Sequence, residues 1–556
     1  MALYLLIFNF LIPLLGGLAF LSSLPYNAMD VFNRPEHRVY PAAQAMSDEA
    51  KKSPTPRPIR RLAVVAVPLL ALGFMLFVDL DPQHPEITRT AAVALWMAVW
   101  WITEAIPLAA TALLPLVLFP FLGIMDGREV SSQYINHIIF IFVGGFMVAL
   151  TMERWQLHRR LALRMLTFFG IRPRFTLLGF MLATALLSMW ISNTATAMMM
   201  VPIALAIVTH LEEMVGRTKI RKFSTGIFLG IAYGASIGGV ATLIGTPPNL
   251  SFVRILHIFF PGAPDISFAR WFLFAFPVSL CFLILVWLIL ARRFCPGTGI
   301  DLDRDTFKKQ HAALGPITFE EKIVLADFVL LVLLWMTRVD IVIGNLKVPG
   351  WSTLLPQSTF VNDGTVAVLM ALVLFLVPAR NAPGKRVLNW ATAARIPWNI
   401  VLLFGGGFAL ASGFKSSGLS RWLGGRLEGL SGLPPILIVA VVCLVITFLT
   451  ELTSNTATAE ILLPVLAALA VSIRINPLFL MVPGTLSCSF AFMLPVATPP
   501  NAIVFGTRRL RIPDMARIGV WINLLGVVMV TAALLFLGRA VLGIDLAALP
   551  AWATLD

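Results

Sequence analysis

From residue 62 onward the chain alternates long apolar runs with short polar clusters. Runs at about 62–79, 90–105, 107–122, 138–165, 225–254, 270–292, 322–337, 364–378, 398–427, 477–506 and 518–543 each have the length and hydropathy of a membrane-crossing helix. Two further stretches, about 175–208 and 434–471, are too long for one straight helix and carry a polar break mid-way. Each predicts a re-entrant hairpin, with a helix in, a polar tip and a helix back out. Such a tip is tolerated at membrane depth only where protein buries it or it lines a watery cavity. The pattern therefore predicts an all-α polytopic membrane protein with about 11 transmembrane helices and two re-entrant hairpins.

Composition agrees. Of the 556 residues 58% are hydrophobic and 13% charged, with mean hydropathy +0.87. Soluble domains carry about 25% charged residues, so a lipid bilayer must solvate this chain. The net charge of +14 does not imply a nucleic-acid partner, because the basic residues sit in short clusters between apolar runs rather than in one basic domain. Those clusters orient the chain instead. Inside groups are Lys51 to Arg61, Arg154 to Arg174, Arg217 to Lys222, Arg292 to Lys322, Arg380 to Arg395 and Arg508 to Arg517. The asymmetry holds only if both long stretches return to the side they entered from. It places the core N-terminus in the cytoplasm and the C-terminus outside the cell membrane. Three of the four cysteines (Cys281, Cys295, Cys443 and Cys488) fall in apolar runs, and none are spaced as metal ligands.

The chain divides into five parts. Residues 1–45 form an upstream extension or accessory hydrophobic segment that lacks the basic start of a signal peptide. Residues 46–61 are a basic cytoplasmic tail, 62–300 a first half, 301–321 a cytoplasmic linker and 322–556 a second half.

The halves share motifs. Residues 192–197 and 454–459 are both Ser-Asn-Thr-Ala-Thr-Ala, and the same offset aligns Gly144-Gly145-Phe146 with Gly406-Gly407-Phe408 and Pro202 with Pro464. Gly245-Thr246-Pro247-Pro248-Asn249 and Ala497-Thr498-Pro499-Pro500-Asn501 follow in the same order. The first hairpin opens inward and the second outward, so the halves form an inverted repeat, an arrangement found in many secondary transporters. Serine or threonine in a span commonly bonds the preceding turn, and proline commonly only kinks it. Repetition, order and inversion together point past that to a site. Thr-Pro-Pro-Asn cannot continue a helix. A span broken there offers carbonyls to a cation at one half-helix end and N–H groups to an anion at the other. Hydroxyl, amide and carbonyl oxygens suit a hard cation such as sodium, and no thiolate or histidine cluster suits a transition metal.

The chain resembles the divalent anion:sodium symporter family, the relatives of solute carrier family 13. The resemblance runs over residues 62 to 543 and rests on Trp101-Ile102-Thr103-Glu104-Ala105-Ile106-Pro107, the two Ser-Asn-Thr tips and the two Thr-Pro-Pro-Asn breaks. It implies one sodium ion held by Ser188, Ser192, Asn193 and the Gly245 carbonyl. A second is implied at Thr450, Thr453, Asn455 and the Ala497 carbonyl. It further implies that Asn193, Thr194, Asn455 and Thr456 read the substrate's carboxylates, with Thr246, Pro247, Thr498 and Pro499. Ser188 and Thr450 each precede a tip serine by one helical turn, which fits that assignment. The family's members are homodimers that carry the site across the bilayer as an elevator. A stretch like Thr151 to Arg164 links the fixed and moving parts.

No arginine or lysine stands at these positions, which favours sodium symport over exchange. Of the acids in apolar surroundings, Glu104 is read as an anchor at a span end. Glu451 and Glu460, whose equivalents in the other repeat are Met189 and Met198, are read as structural. No protease pair or zinc motif marks an enzyme, and occluded tips argue against a channel. The expected function is sodium-coupled import of a divalent anion, with C4-dicarboxylates such as succinate, malate and fumarate foremost. A sulfate-type symporter or a dicarboxylate exchanger on the same fold is the alternative.

Overall fold

The computed structural model describes residues 57–169, 172–295, 304–343, 346–544 and 549–553. The extension 1–45 and most of the tail 46–61 lie outside the described residues. Every apolar run is a helix or a pair of helices. The first half holds α1 (Arg57–Phe77), α2 (Pro85–Thr103), α3 (Leu108–Thr111), α4 (Leu114–Phe121), α5 (Gly127–Tyr134), α6 (Ile139–Arg154), α7 (Leu157–Phe169), α8 (Pro173–Ser188), α9 (Asn193–Val215), α10 (Arg217–Gly239), α11 (Pro247–Phe259) and α12 (Phe268–Phe294). In the linker lies α13 (Arg304–Ala312). The second half holds α14 (Phe319–Met336), α15 (Asp363–Leu376), α16 (Trp390–Ala393), α17 (Trp398–Ser416), α18 (Leu419–Leu427), α19 (Pro435–Thr450), α20 (Asn455–Ser472), α21 (Leu478–Cys488), α22 (Pro499–Gly506) and α23 (Ile512–Leu542).

The all-α architecture is present, with one short addition. Between α14 and α15 a short antiparallel ribbon pairs β1 (Ile341–Ile343) with β2 (Leu346–Val348). Its first strand is a run of β-branched residues, which favours extended backbone. Among the described residues five helices (α1, α9, α12, α20 and α23) and the α5–α6 pair are long and apolar enough to cross a bilayer, with a seventh span if α17 and the segment after it count as one bent span. The other expected spans are shorter helices, broken helices, or helices carrying more charge, such as α14 with Glu320, Glu321, Lys322 and Asp327.

Two expected spans, 138–165 and 398–427, are not continuous. The first splits into α6 and α7 at Gln156, which sits at φ 58°. The second splits into α17 and α18 at Gly418, at φ 78°, with a bend of 73°. A left-handed residue cannot continue a right-handed helix. Both breaks fall at the offset of the repeated tips, so the repeat extends to backbone conformation. Beyond the first break, α7 is the amphipathic helix expected near Thr151 to Arg164, and its Arg160 pairs with Glu321 at the start of α14 at 2.8 Å. His158 near the start of α7 is buried, with its ring 3.2 Å from the Met152 carbonyl.

The repeated glycines allow close helix packing. A methyl at Gly144 would lie 2.6 Å from the Ala367 backbone on α15, and one at Gly406 would lie 2.4 Å from the Ala112 carbonyl. The Trp101 to Pro107 signature closes α2. Glu104 caps it at φ 46°, Arg60 donates to the Glu104 carbonyl at 2.8 Å, and the Trp101 indole donates to the Leu108 carbonyl at 3.1 Å. The glutamate's backbone thus anchors a span end, as expected.

Candidate functional site: paired tips and helix breaks

The motifs fold as their chemistry dictates. Thr246 and Thr498 are extended, at φ −143° and −140°, as the following proline requires. Each is followed by two prolines on the first turn of a new helix, where a missing N–H costs nothing. The asparagine then reaches back. Asn249 donates to the carbonyls of Val240 and Thr242 at 3.2 and 2.7 Å, and Asn501 donates to those of Ala491 and Leu494 at 3.0 Å each. The Thr-Pro-Pro-Asn sequence thus starts a half-helix and folds the preceding loop against it.

At the first tip the chain turns from α8 to α9, with Ser192 capping α9 through the Ala195 N–H at 3.2 Å. Ser188 is fully buried, with its Oγ 2.5 Å from the Asn193 side chain and 2.8 Å from the Ala235 carbonyl of α10. One terminal atom of the Asn193 amide also faces the Ala235 carbonyl at 3.1 Å and the Gly245 carbonyl at 3.3 Å. Hydroxyl, amide and two carbonyls therefore converge on one point. With its oxygen turned inward the amide completes an oxygen cluster suited to a hard cation. With its nitrogen inward it satisfies the carbonyls itself. Gly239 makes the room: a methyl there would lie 2.5 Å from the Asn193 amide oxygen.

The second tip repeats this. Thr450 Oγ1 lies 2.8 Å from Asn455 Oδ1 and 2.7 Å from the Cys488 carbonyl of α21. Thr498 caps α22 through the Asn501 N–H at 3.3 Å. Thr453, also expected at this ion site, turns its hydroxyl to Thr458 at 2.5 Å and to the Leu449 carbonyl at 3.0 Å.

The two sites touch. Thr246 Oγ1 lies 3.3 Å from Ser489 Oγ, and the Tyr233 hydroxyl donates to the Phe492 carbonyl at 2.8 Å. Helix α9 packs on α22, and α11 packs on α20. Of the expected substrate contacts, Thr246, Thr456 and Thr498 are buried, Asn193, Thr194, Pro247 and Asn455 are half-buried, and Pro499 is exposed.

Comparison with known proteins now bears on this geometry. Residues 59–544 match the family model described as the sodium:sulfate symporter transmembrane region. The chain belongs to this family. A relative in Staphylococcus saprophyticus, the sodium-dependent dicarboxylate transporter SdcS, is 43% identical over 87% of this chain and 92% of its own. SdcS of Staphylococcus aureus is 41% identical over 93% and 99%. Among solved structures, Neisseria gonorrhoeae MtrF matches with TM-score 0.54 at 13% identity, over 89% of this chain and 98% of its own. Alcanivorax borkumensis YdaH matches with 0.52 at 14%, over 81% and 99%. Those two likenesses concern fold alone. A member of the sodium:sulfate symporter family is a multi-pass membrane transporter and not an enzyme.

Two functional features escaped the sequence reading. Glu451, expected to be structural, binds the second break directly: its carboxylate accepts from the backbone N–H groups of Phe492, Met493 and Leu494 at 2.6, 2.8 and 3.0 Å, and from Asn523 at 2.8 Å. The signal lay in its place beside Thr450, but its partners are some forty residues on. The role of Gly239 was equally hidden, since only close approach reveals it.

Proposed function

We propose that this protein is a sodium-coupled secondary active symporter that imports divalent anions, foremost C4-dicarboxylates such as succinate, malate and fumarate. The observation that carries the reading is the pair of matched clusters, Ser188–Asn193 with the Ala235 and Gly245 carbonyls, and Thr450–Asn455 with the Cys488 carbonyl. Neutral oxygens of this kind suit sodium, the cargo ion. The first ion is assigned to Ser188, Ser192, Asn193 and Gly245, and the second to Thr450, Thr453, Asn455 and Ala497. The anion is assigned to Asn193, Thr194, Thr246, Pro247, Asn455, Thr456, Thr498 and Pro499.

The helix N-termini at residues 193, 247, 455 and 499 bring N–H groups and positive dipole ends to the same region. None of the assigned side chains is cationic, so a dianion is balanced by the two ions and these dipoles. Substrate therefore binds after sodium, which is the basis of coupling. The dicarboxylate assignment draws on the names of the relatives at 43% and 41% identity. In this reading a homodimer in the cell membrane, core N-terminus inside and C-terminus outside, moves the hairpins and broken helices as one body, elevator-fashion. The bends at Gln156 and Gly418 supply the joints.

The test is uptake of labelled succinate by proteoliposomes under an inward sodium gradient, with malate, fumarate, citrate and sulfate as competitors. The expected result is saturable uptake that is lost when choline or potassium replaces sodium, with malate and fumarate competing. Uptake that ignores sodium would assign the fold to exchange, and competition by sulfate alone would assign it to sulfate transport.

A further inference from the structure

Glu460 lies outside the two clusters. It is fully buried on α20, and among the described residues no basic side chain pairs with it. Oε1 meets Ser251 Oγ of α11 in a short hydrogen bond, and Oε2 has no partner. The carboxyl lies flat on α17, where a methyl added at Gly407 would overlap it. The ionisable groups of α11 and α17 have other partners. Arg254 of α11 donates to Gln133, His257 faces Asp265, and Lys415 of α17 donates to the carbonyls of Ile258 and Phe259. Another ionisable group beside it is the buried Cys488 thiol of α21.

The hydrogen-bond geometry accommodates a neutral acid. Ser251 has one hydroxyl proton but two oxygen contacts, Glu460 and the Pro247 carbonyl at 3.4 Å. Both are satisfied if Glu460 is a neutral acid that donates to Ser251 Oγ while Ser251 donates to Pro247. An unpaired carboxylate in this setting would be far costlier. The chain Glu460–Ser251–Pro247 then links α20 to the first turn of α11. Ser251 is four residues into α11 and Glu460 five residues into α20. The bond therefore lies about 6–8 Å behind both helix ends assigned to the anion. At the matching positions of the other helix pair stand Met198 on α9 and Ile503 on α22, which cannot form it.

We propose that Glu460 is a positioning residue that, as a resident neutral acid, holds the α11 and α20 ends at a fixed separation and so selects the length of the dianion. The inference rests on the transport reading above. It is tested in proteoliposomes with Glu460→Gln, which keeps a donor and cannot ionise, Glu460→Met, which copies the other repeat, and Ser251→Ala. Glu460→Gln should keep the succinate KM within about twofold and a pH profile superimposable on the unaltered protein. Glu460→Met and Ser251→Ala should each raise that KM about fivefold or more, as loss of one buried hydrogen bond implies. They should also cut discrimination between succinate and the one-carbon-longer glutarate, with sodium half-saturation unchanged.

Loss of transport or a changed pH profile in Glu460→Gln would overturn the proposal in favour of an ionised coupling group. Wild-type KM and chain-length preference in both other variants would overturn it as well. Ser251→Ala decides the matter if Glu460→Met fails to fold. If the unaltered protein takes up no dicarboxylate, the transport reading fails first, on a measurement independent of the variants.

Discussion

The two halves of the molecule fasten the hairpin to the broken helix at corresponding positions, but with opposite chemistry. In the first half the loop supplies the polar group. Thr242 donates to the Met189 carbonyl at 2.5 Å and accepts from the Gly245 N–H at 3.0 Å. In the second half the hairpin supplies it, through Glu451 and its three loop N–H groups. Met189 and Glu451 are equivalent tip positions, and Thr242 and Leu494 stand equally far before their Thr-Pro-Pro-Asn motifs. A neutral strap thus serves one site and an ionisable strap the other. Bonds to a charged group are worth about 1.5–3 kcal/mol against roughly 0.5–1.5 for neutral ones. With three loop N–H groups on one carboxyl against one on a hydroxyl, the second loop is held by more bonds.

The largest effects should come from what the halves share. Asn193→Ala and Asn455→Ala each strip the amide from an oxygen cluster and leave buried groups unpaired. At about 1–3 kcal/mol, that is roughly 5- to 150-fold in affinity. Sodium half-saturation and succinate KM should rise together in uptake assays. A variant that weakens substrate binding while its sodium curve stays in place would break the assignment of asparagine to both ligands.

Next comes a difference in packing. Gly239→Ala puts a methyl 2.5 Å from the Asn193 amide oxygen and 3.1 Å from the Gly245 carbonyl. The equivalent residue of the second half, counted from the proline pair, is Ala491, which already carries that methyl. Gly239→Ala should therefore cost about fivefold or more in sodium affinity, on the scale of overpacking at about 1–3 kcal/mol. Ala491→Gly should shift it by less than about threefold, since the helix has already ended there. Equal losses in the two variants would mean that the sites are packed alike.

The straps rank third. Glu451→Gln keeps the volume but turns an amide nitrogen on N–H groups that need an acceptor, so sodium affinity should fall about tenfold. Thr242→Val removes two neutral bonds, to Met189 and Gly245, and should cost about fivefold, at the low end of their summed worth. Paired sodium titrations measure both, and a larger loss in Thr242→Val would reverse the ranking of the straps.

How far the sequence carried this picture depends on the range of each interaction. Spans, hairpins and breaks were legible because apolar length, a polar tip and Thr-Pro-Pro-Asn act within a few residues. The repeat was legible because 192–197 and 454–459 are identical. Glu451 and Glu460 were read as structural but without partners, since these lie 41 to 72 and 209 residues away. Thr453 was assigned to an ion through the family resemblance, and its contacts with Thr458 and the Leu449 carbonyl were not legible in the sequence. The ribbon at Ile341 was hidden in a linker whose polar flanks promised no regular structure.

The joints at Gln156 and Gly418 give the smallest and cleanest comparison. Both occupy left-handed backbone at the offset of the repeat, and both separate a spanning helix from a short helix after it. Only one is a glycine. A side chain in that conformation costs about 1–2 kcal/mol, while glycine pays its own cost in the unfolded chain. Gln156→Gly should thus be near neutral or slightly stabilising. Gly418→Ala should destabilise by about 1 kcal/mol, a few degrees or less in Tm for a chain of this size. A methyl at Gly418 meets nothing nearer than Ile87 at 3.9 Å, so the penalty is conformational and not steric. Melting curves in detergent measure the difference directly. If both substitutions leave Tm unchanged while slowing uptake, the joints bend during transport and spend time outside the left-handed region. If both shift Tm as expected and leave uptake alone, the joints are rigid corners and the moving body hinges elsewhere.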